Sequence, residues 1–401
     1  MNSSEHQDEL IDILSNDYIG KASKNRRIGV LDLRKLDQSE HNGRIESALC
    51  IEDGLHGLKE RFSWLPPRNK KQDGQDRLGT NASGKSLVVL CNVDELQDVK
   101  VALEGWDVAG FITENDTLFW KEATKCGLVK INADNDDVPD LLFEPSQLAR
   151  IVVEKLERSQ EECETSPVTL LDLGCGAGRD LAWIARNLSS GWRLSGIDNL
   201  HSIVRRARLL VKDMKLGTEE SKDEYPSSTR SAIESIVWAQ VSSEGSLQAL
   251  KHTIEGSTAN HGIPVSSCNE DESVAQRLSA FASEHLPHRT FDILFLVRFF
   301  PIALLHHLPT LSHIGGWIAI SHFTTVTEAD EHASGRIINS EQVNRAYSGP
   351  PIGKRFELEH ITELLENWKK VSNTEWSVTF HHIIPCEDGR PLRNVIFCRT
   401  K

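Results

Sequence analysis

The chain has 401 residues, 39% hydrophobic and 26% charged, which is a soluble globular composition with apolar material for more than one core. Its formal net charge of -14 repels phosphate backbones, so nucleic acid is not the expected partner. No apolar run reaches the roughly 18 residues that span a bilayer, so no membrane partner is expected either.

The cysteines are eight and none forms a C-x-x-C pair, which predicts reduced thiols in a cytoplasmic setting and argues against zinc. Residues 1–27 read as a polar, acidic extension, with Glu5, Asp8, Glu9 and Asp12 and without the basic-then-apolar order of a targeting peptide. A first α/β domain is predicted over residues 28–131. Its strands are the apolar runs at 28–33, 86–91 and 108–111, and its helices lie near 55–62 and 99–104. Residues 132–140 are acidic, lack apolar periodicity and contain Pro139, as a linker would.

The second domain is predicted over residues 141–401. Leu148, Ile151, Val152 and Leu156 recur at helical spacing, and a buried strand follows at 168–173. A helix (180–188), a strand (192–197) and a helix (203–214) come next. Residues 217–230 and 242–288 are mostly polar and read as insertions on surface loops, the second around a weak helix at 274–282. The order resumes with a strand (291–297), a helix (301–311), a strand (317–321), a helix (356–368) and a closing hairpin of 376–384 with 394–399. Alternation of this kind implies a parallel sheet covered on both faces. Arg205, Arg206 and Arg208 read as a solvated helix face. His306-His307 and His381-His382 do not make a metal-ligand set, so no metal is expected.

The chemistry centres on Leu170-Leu-Asp-Leu-Gly-Cys-Gly-Ala-Gly178. A buried strand runs into three alternate glycines and then a helix, so the backbone can turn sharply and a ligand can approach the main chain. Asp172 stands inside the apolar strand, where a carboxylate needs compensation from a cation or ordered water. Asp198 lies 24 residues after Gly174, near the spacing of about 20 at which an acid meets ribose hydroxyls. A dinucleotide site would carry a small residue where Arg179 stands, and an acid before the turn is unfavourable beside a pyrophosphate. An adenosine ligand bearing an ammonium and a sulfonium suits both features.

Leu171-Asp-Leu-Gly-Cys-Gly-Ala-Gly-Arg-Asp180 resembles the first motif of class I S-adenosylmethionine-dependent methyltransferases. Its G-x-G-R-D form is similar to their tellurite-resistance and thiopurine-type branch. The resemblance implies a seven-stranded Rossmann-like sheet in the order 3-2-1-4-5-7-6 with the seventh strand antiparallel, and S-adenosylmethionine as cofactor. It places Gly174, Cys175, Gly176 and Gly178 along the methionine part and Asp172 on the amino group. It places Asp198 and Asn199 on the ribose, and Gln240 or Ser242 at an adenine contact that is usually acidic. Arg298 and Phe299 fall where that family puts substrate-side residues.

Leu31-Asp-Leu-Arg34, Gly43-Arg-Ile45 and Ala48 resemble the opening of a rhodanese domain, with Cys91 where the persulfide-forming cysteine would stand. The loop after Cys91 carries Asp94 and Glu95 in place of arginine. Like-charge repulsion would raise the thiol, so a catalytically degenerate domain is expected, serving docking to a protein partner or stability.

The expected activity is methylation of a small molecule, a thiol or an anionic metalloid. Arg298 or Arg355 would orient it and His322 would take a proton. The alternatives are a protein or RNA methyltransferase that uses the first domain for recognition, and a non-catalytic scaffold.

Overall fold

The computed structural model describes residues 3–18, 27–34, 43–51, 53–68, 85–130, 139–160, 167–188, 191–217, 231–252, 262–265, 272–327, 350–386 and 389–401. The chain divides into two compact units, Met1–Glu144 and Pro145–Lys401.

The first unit opens with a helix, α1 (Ser3–Asp17), where the sequence suggests only a polar extension. Leu10, Ile11, Leu14 and Tyr18 are buried in one cluster with Val30, Val88, Ile112 and Phe119. The apolar face is a narrow stripe on an otherwise acidic helix, which is why composition hides it. Strands β1 (Ile28–Asp32), β2 (Arg44–Ile45) and β3 (Leu49–Cys50) follow, then helix α2 (Gly54–Glu60). After β4 (Ser86–Cys91) come α3 (Leu96–Ala102), β5 (Val108–Thr113), α4 (Thr117–Lys125) and β6 (Val129–Lys130). The main sheet has the order β3-β1-β4-β5 and every pairing in it is parallel. The D-x-R motif is an interior ion pair. Arg34 Nε and Nη2 donate to the two oxygens of Asp32 at 2.9 and 2.7 Å, and the guanidinium lies 4.3 Å over Trp120.

Of the segment read as a linker, 132–138 lie outside the described residues. Asp140 N–H donates to Ser47 O, and Lys85 Nζ donates to Leu141 O at 2.8 Å. Residues 139–144 therefore belong to the first unit, and the division falls four residues later than the composition suggests.

The second unit begins with α5 (Gln147–Gln160), β7 (Thr169–Leu173), α6 (Arg179–Asn187), β8 (Arg193–Asp198) and α7 (His201–Asp213). Next are β9 (Ala232–Val241), β10 (Leu247–Lys251), β11 (Ile263–Pro264), α8 (Val274–His285) and β12 (Phe291–Val297). A short α9 (Ile302–Leu305), β13 (Ser312–Phe323), α10 (Leu358–Ser372), β14 (Trp376–Pro385) and β15 (Pro391–Arg399) complete it. The sheet order is β11-β10-β9-β8-β7-β12-β13-β15-β14. The seven strands from β9 to β14 reproduce the order 3-2-1-4-5-7-6, and β15 runs antiparallel to both neighbours. The core on one face gathers Leu171, Leu173, Leu294, Leu296, Ile318, Ile320 and Phe397 under α8 and α10.

The insertion 242–288 is more than a surface loop. It supplies β10, β11 and α8, and it buries Leu278, Phe281 and Ala282 in that core. A capping box at Ser273 and Gln276 starts α8, which runs to His285 rather than 282. Of the other insertion, 218–230 lie outside the described residues. The helix expected at 301–311 is broken: α9 ends at Leu305, and a 3-10 turn at Leu308–Leu311 carries Pro309, whose ring and missing N–H oppose a continuous helix.

Candidate functional site

The glycine turn is built as the motif requires. Gly174, Gly176 and Gly178 have φ of 79°, 56° and 77°, all in the left-handed region open to glycine. Gly174 and Cys175 N–H both donate to Ile197 O, at 2.8 and 2.9 Å, and Gly178 N–H donates to Cys175 O. The turn is thus clamped to the end of β8. Asp198 closes it: Gly176 N–H donates to Oδ2 and Leu200 N–H to Oδ1, each at 3.0 Å. An ionised carboxylate offers about four acceptor positions. Two hold the backbone, and the remainder suit a pair of ribose hydroxyls.

Asp172 is 3% exposed, and no donor among the described residues reaches its carboxyl. Burial, then Asp180, then Asp198 push this carboxyl well above the usual carboxylate range. A buried acid without a donor is costly, and an ammonium group would reverse that cost. Cys175 is buried too. Burial, then Asp172 and Asp198, raise its thiol well above the usual range, so it packs and does not attack. Burial also raises Asp180, against hydrogen bonds from Ser146 that lower it.

A cavity of about 500 Å³ opens at the C-terminal ends of β7, β8, β9 and β12, within the ordinary size range of small-ligand sites. Of the residues expected to bind cofactor, Gly174, Asp198, Asn199 and Gln240 line it, and Arg298 lines it from the substrate side. Phe299 closes the wall by packing on Gly174, where a Cβ would meet its Cγ at 2.6 Å. Gln240 Nε2 donates to Gln248 Oε1 across the hairpin. Ser242 is a correction: its hydroxyl pairs with that of Ser246 and its N–H donates to Ser246 O, so it holds the β9–β10 turn and does not line the cavity. The motif reading misses Leu247, which reaches the cavity from β10. Nothing in the polar insertion around it signals a strand.

The three acceptor-side candidates separate. Arg298 is exposed, has a φ of 57°, and donates its N–H to Ser321 O at 2.7 Å. Arg355 does not present its guanidinium to the cavity lining: Nε donates to Pro350 O and Nη1 to Thr325 Oγ1, both at 2.9 Å. His322 is 7% exposed. Its Nε2 lies 3.0 Å from Lys354 O, and its ring stacks on Phe300 at 5.2 Å and 19°. Burial holds the imidazole below the usual histidine range, against the opposing pull of the Lys354 carbonyl.

In the first unit Cys91 ends β4 fully buried. Burial, then Glu114 and Glu95, push its thiol up to about 12. Among the described residues no group of three or more histidines, cysteines and acids could hold a metal ion. No helix there is long and apolar enough to cross a membrane.

No family model matches the chain. An uncharacterised protein, UNK4.09 of Schizosaccharomyces pombe, is 30% identical over 115 residues, covering 28% of this chain; the match spans about a third (32%) of that relative's length. Among solved structures, magnesium protoporphyrin IX methyltransferase of Synechocystis with bound SAH is 12% identical, with a TM-score of 0.34, covering 63% of this chain and 82% of that one. A SAM-dependent methyltransferase from Aquifex aeolicus is 15% identical (TM-score 0.32; 63% and 93% covered). TehB from Haemophilus influenzae is 11% identical (TM-score 0.30; 62% of each). Two of these three are methyltransferases by name. Fold likeness does not assign chemistry, so the activity is argued from the site.

Proposed function

We propose that the second unit is an S-adenosylmethionine-dependent methyltransferase acting on a small molecule. The observation that carries this reading is the pairing of two carboxyls around one glycine turn. Asp172 is buried with no donor, and Asp198 keeps acceptor capacity at the cavity rim. That pair of acceptors fits a ligand with an ammonium at one end and ribose hydroxyls at the other. Asp172 would hold the amino group, the main chain around Gly174 the amino-acid end, Asp198 and Asn199 the ribose, and Gln240 the adenine side. When bound, S-adenosylmethionine supplies an electrophilic methyl group. The chain's own residues supply alignment and exclusion of water, the latter through Val297 and Phe299 on the cavity wall.

The first unit is read as a degenerate rhodanese-like domain. In support, Cys91 ends a parallel strand, yet burial and two glutamates keep its thiol protonated. The role proposed for it is docking of a protein partner or stability.

The test is calorimetric titration with S-adenosylhomocysteine, with NAD as control. Wild type should bind S-adenosylhomocysteine and not NAD, and Asp198→Ala should bind neither while staying folded. No binding by folded wild type overturns the reading in favour of a scaffold.

A further inference from the structure

A second cavity, of about 480 Å³, lies outside the glycine-turn site and shares no lining residue with it. One wall is α7 with the residues just past its end, and the other is the first half of β9. Arg208, Val211 and Lys212 recur at i, i+3 and i+4, on one face of the helix. At the helix end Leu216 N–H donates to Val211 O at 2.9 Å and Lys215 N–H to Lys212 O at 3.1 Å. That closing pattern usually puts glycine where Lys215 stands. Lys215 has a φ of 51°, in the left-handed region that an ordinary residue enters at a cost, and it brings to the cavity an ammonium that glycine lacks. The chain then turns back onto β9, where Ile233 N–H donates to Leu216 O at 2.8 Å. The Arg208 guanidinium is tied down: Nε and Nη2 both donate to Ile236 O, at 3.1 and 2.7 Å.

The chain carries 59 acids against 45 lysines and arginines, yet the charge here is positive. Arg208, Lys212 and Lys215 are exposed, and a carbonyl cancels none of the arginine's charge. Among the described residues neither lysine ammonium has a hydrogen bond or an ion pair. The acid that lines the cavity, Glu234, is engaged by other groups: its carboxylate lies 2.8 Å from His288 Nε2 and 3.7 Å from Arg193 Nε. Arg208 and Lys212 repel one another across one helical turn, and an anion between them would reverse that repulsion.

We propose that this cavity binds a small phosphate-bearing molecule, its phosphate between Arg208, Lys212 and Lys215 and its organic part against Val211, Ile233 and Ile236. Three exposed cations without an acid partner call for a group that concentrates charge. A phosphomonoester carries about -1.5 to -2 at pH 7 on three acceptor oxygens, whereas a carboxylate carries a single charge. An anchored guanidinium and two ammonium groups are the donors that phosphate recognition uses. A bare phosphate fills only a fraction of the cavity, and the apolar wall suits an organic substituent. The net charge of -14 opposes a long polyanion. Fields of exposed charges are screened within about 10 Å, so a small anion meets mainly the local cations. The site uses no residue of the methyltransferase reading and stands apart from it.

The experiment titrates the full chain calorimetrically with phenyl phosphate, inorganic phosphate, benzoate and a single-stranded oligoribonucleotide. Wild type should bind phenyl phosphate more tightly than inorganic phosphate, which lacks the apolar part, and more tightly than benzoate, and binding should weaken as salt rises. Lys212→Gln and Lys215→Gly should each weaken phenyl phosphate binding roughly tenfold or more. Lys215→Gly also relieves the left-handed backbone, so it should melt above wild type while binding worse, a combination that damage to the fold does not produce. Saturating S-adenosylhomocysteine should leave the affinity for phenyl phosphate unchanged. No phosphate binding by folded wild type overturns the proposal, as does binding that both variants keep. Benzoate bound as tightly as phenyl phosphate overturns the phosphate class. Tight oligoribonucleotide binding that the same variants lose overturns the small-molecule occupant in favour of nucleic acid. Displacement of phenyl phosphate by S-adenosylhomocysteine overturns the location and moves the anion to the glycine-turn cavity.

Discussion

Replacing Gly174 and Gly176 by alanine, one at a time, separates two effects that the turn combines. Both glycines have positive φ, 79° and 56°, and placing an ordinary residue there costs about 1–2 kcal/mol. At Gly176 nothing lies within 4 Å of the new Cβ, so strain is the whole effect. At Gly174 the Cβ would fall 2.6 Å from Cγ and 2.7 Å from Cβ of Phe299. The Phe299 Cβ is fixed by the backbone, so a rotamer change cannot clear it and the backbone after β12 must shift. Overpacking of that kind adds about 1–3 kcal/mol. For a unit of this size 1 kcal/mol lowers the melting temperature by roughly 2–4 °C. Gly176→Ala should therefore melt about 2–8 °C below wild type, and Gly174→Ala several degrees lower again. Phe299 is a cavity wall, so Gly174→Ala should also bind S-adenosylhomocysteine more weakly than Gly176→Ala. Thermal unfolding and calorimetry of the two variants read both quantities. If the variants are indistinguishable in melting and affinity, the packing argument at Gly174 is wrong.

Asp172 links binding to protons. In the folded, ligand-free protein burial raises its carboxyl, so its contribution to stability is full below the unfolded value near 3.9 and is lost as pH rises through the higher folded value. An incoming ammonium favours the carboxylate. Binding of S-adenosylhomocysteine should then release a proton and tighten as pH rises through that window. Titrations in two buffers of different ionisation heat should give different apparent enthalpies, and Asp172→Asn should abolish the difference. Native Cys91, buried with a thiol pushed up to about 12, should resist thiol reagents at neutral pH and support no thiosulfate-to-cyanide sulfurtransfer; robust turnover lost in Cys91→Ser would overturn that. Leu14→Ala should destabilise the first unit by about 2–5 kcal/mol, measured by urea unfolding, because Leu14 is wholly buried on α1. A change near zero would mean α1 is not part of the core.

The central strands and the glycine turn were legible because each is set locally. The apolar run 168–173, the three alternate glycines and the acid at Asp198 carry their meaning over a few dozen residues, and β7, β8 and their turn stand where these place them. What the sequence hid depends on distant partners. Leu247 counts as a cavity residue only because β10 pairs with β9, and Ser242 is turned from ligand contact to turn-holder by Ser246, four residues away. Helix α1 was obscured by its acidic face, although Leu10, Ile11, Leu14 and Tyr18 keep a helical rhythm. The tautomer of His322 could not be read at all, since it is set by a main-chain carbonyl 32 residues further along the chain.

The β10–β11 extension also changes how the sheet ends. Without it β9, whose last residues line the cavity, would be an edge strand with open hydrogen-bonding groups, a template on which another chain could pair. With it, β9 is paired on both sides. The new edge is a two-residue strand that includes Pro264, a residue with no N–H to offer a partner. At the opposite edge β14 has a register shift between Val378 and Phe380, and irregularities of this kind blunt edge pairing. Both borders of the nine-stranded sheet thus discourage strand addition, and the rim of the cavity lies inside the sheet rather than at its edge.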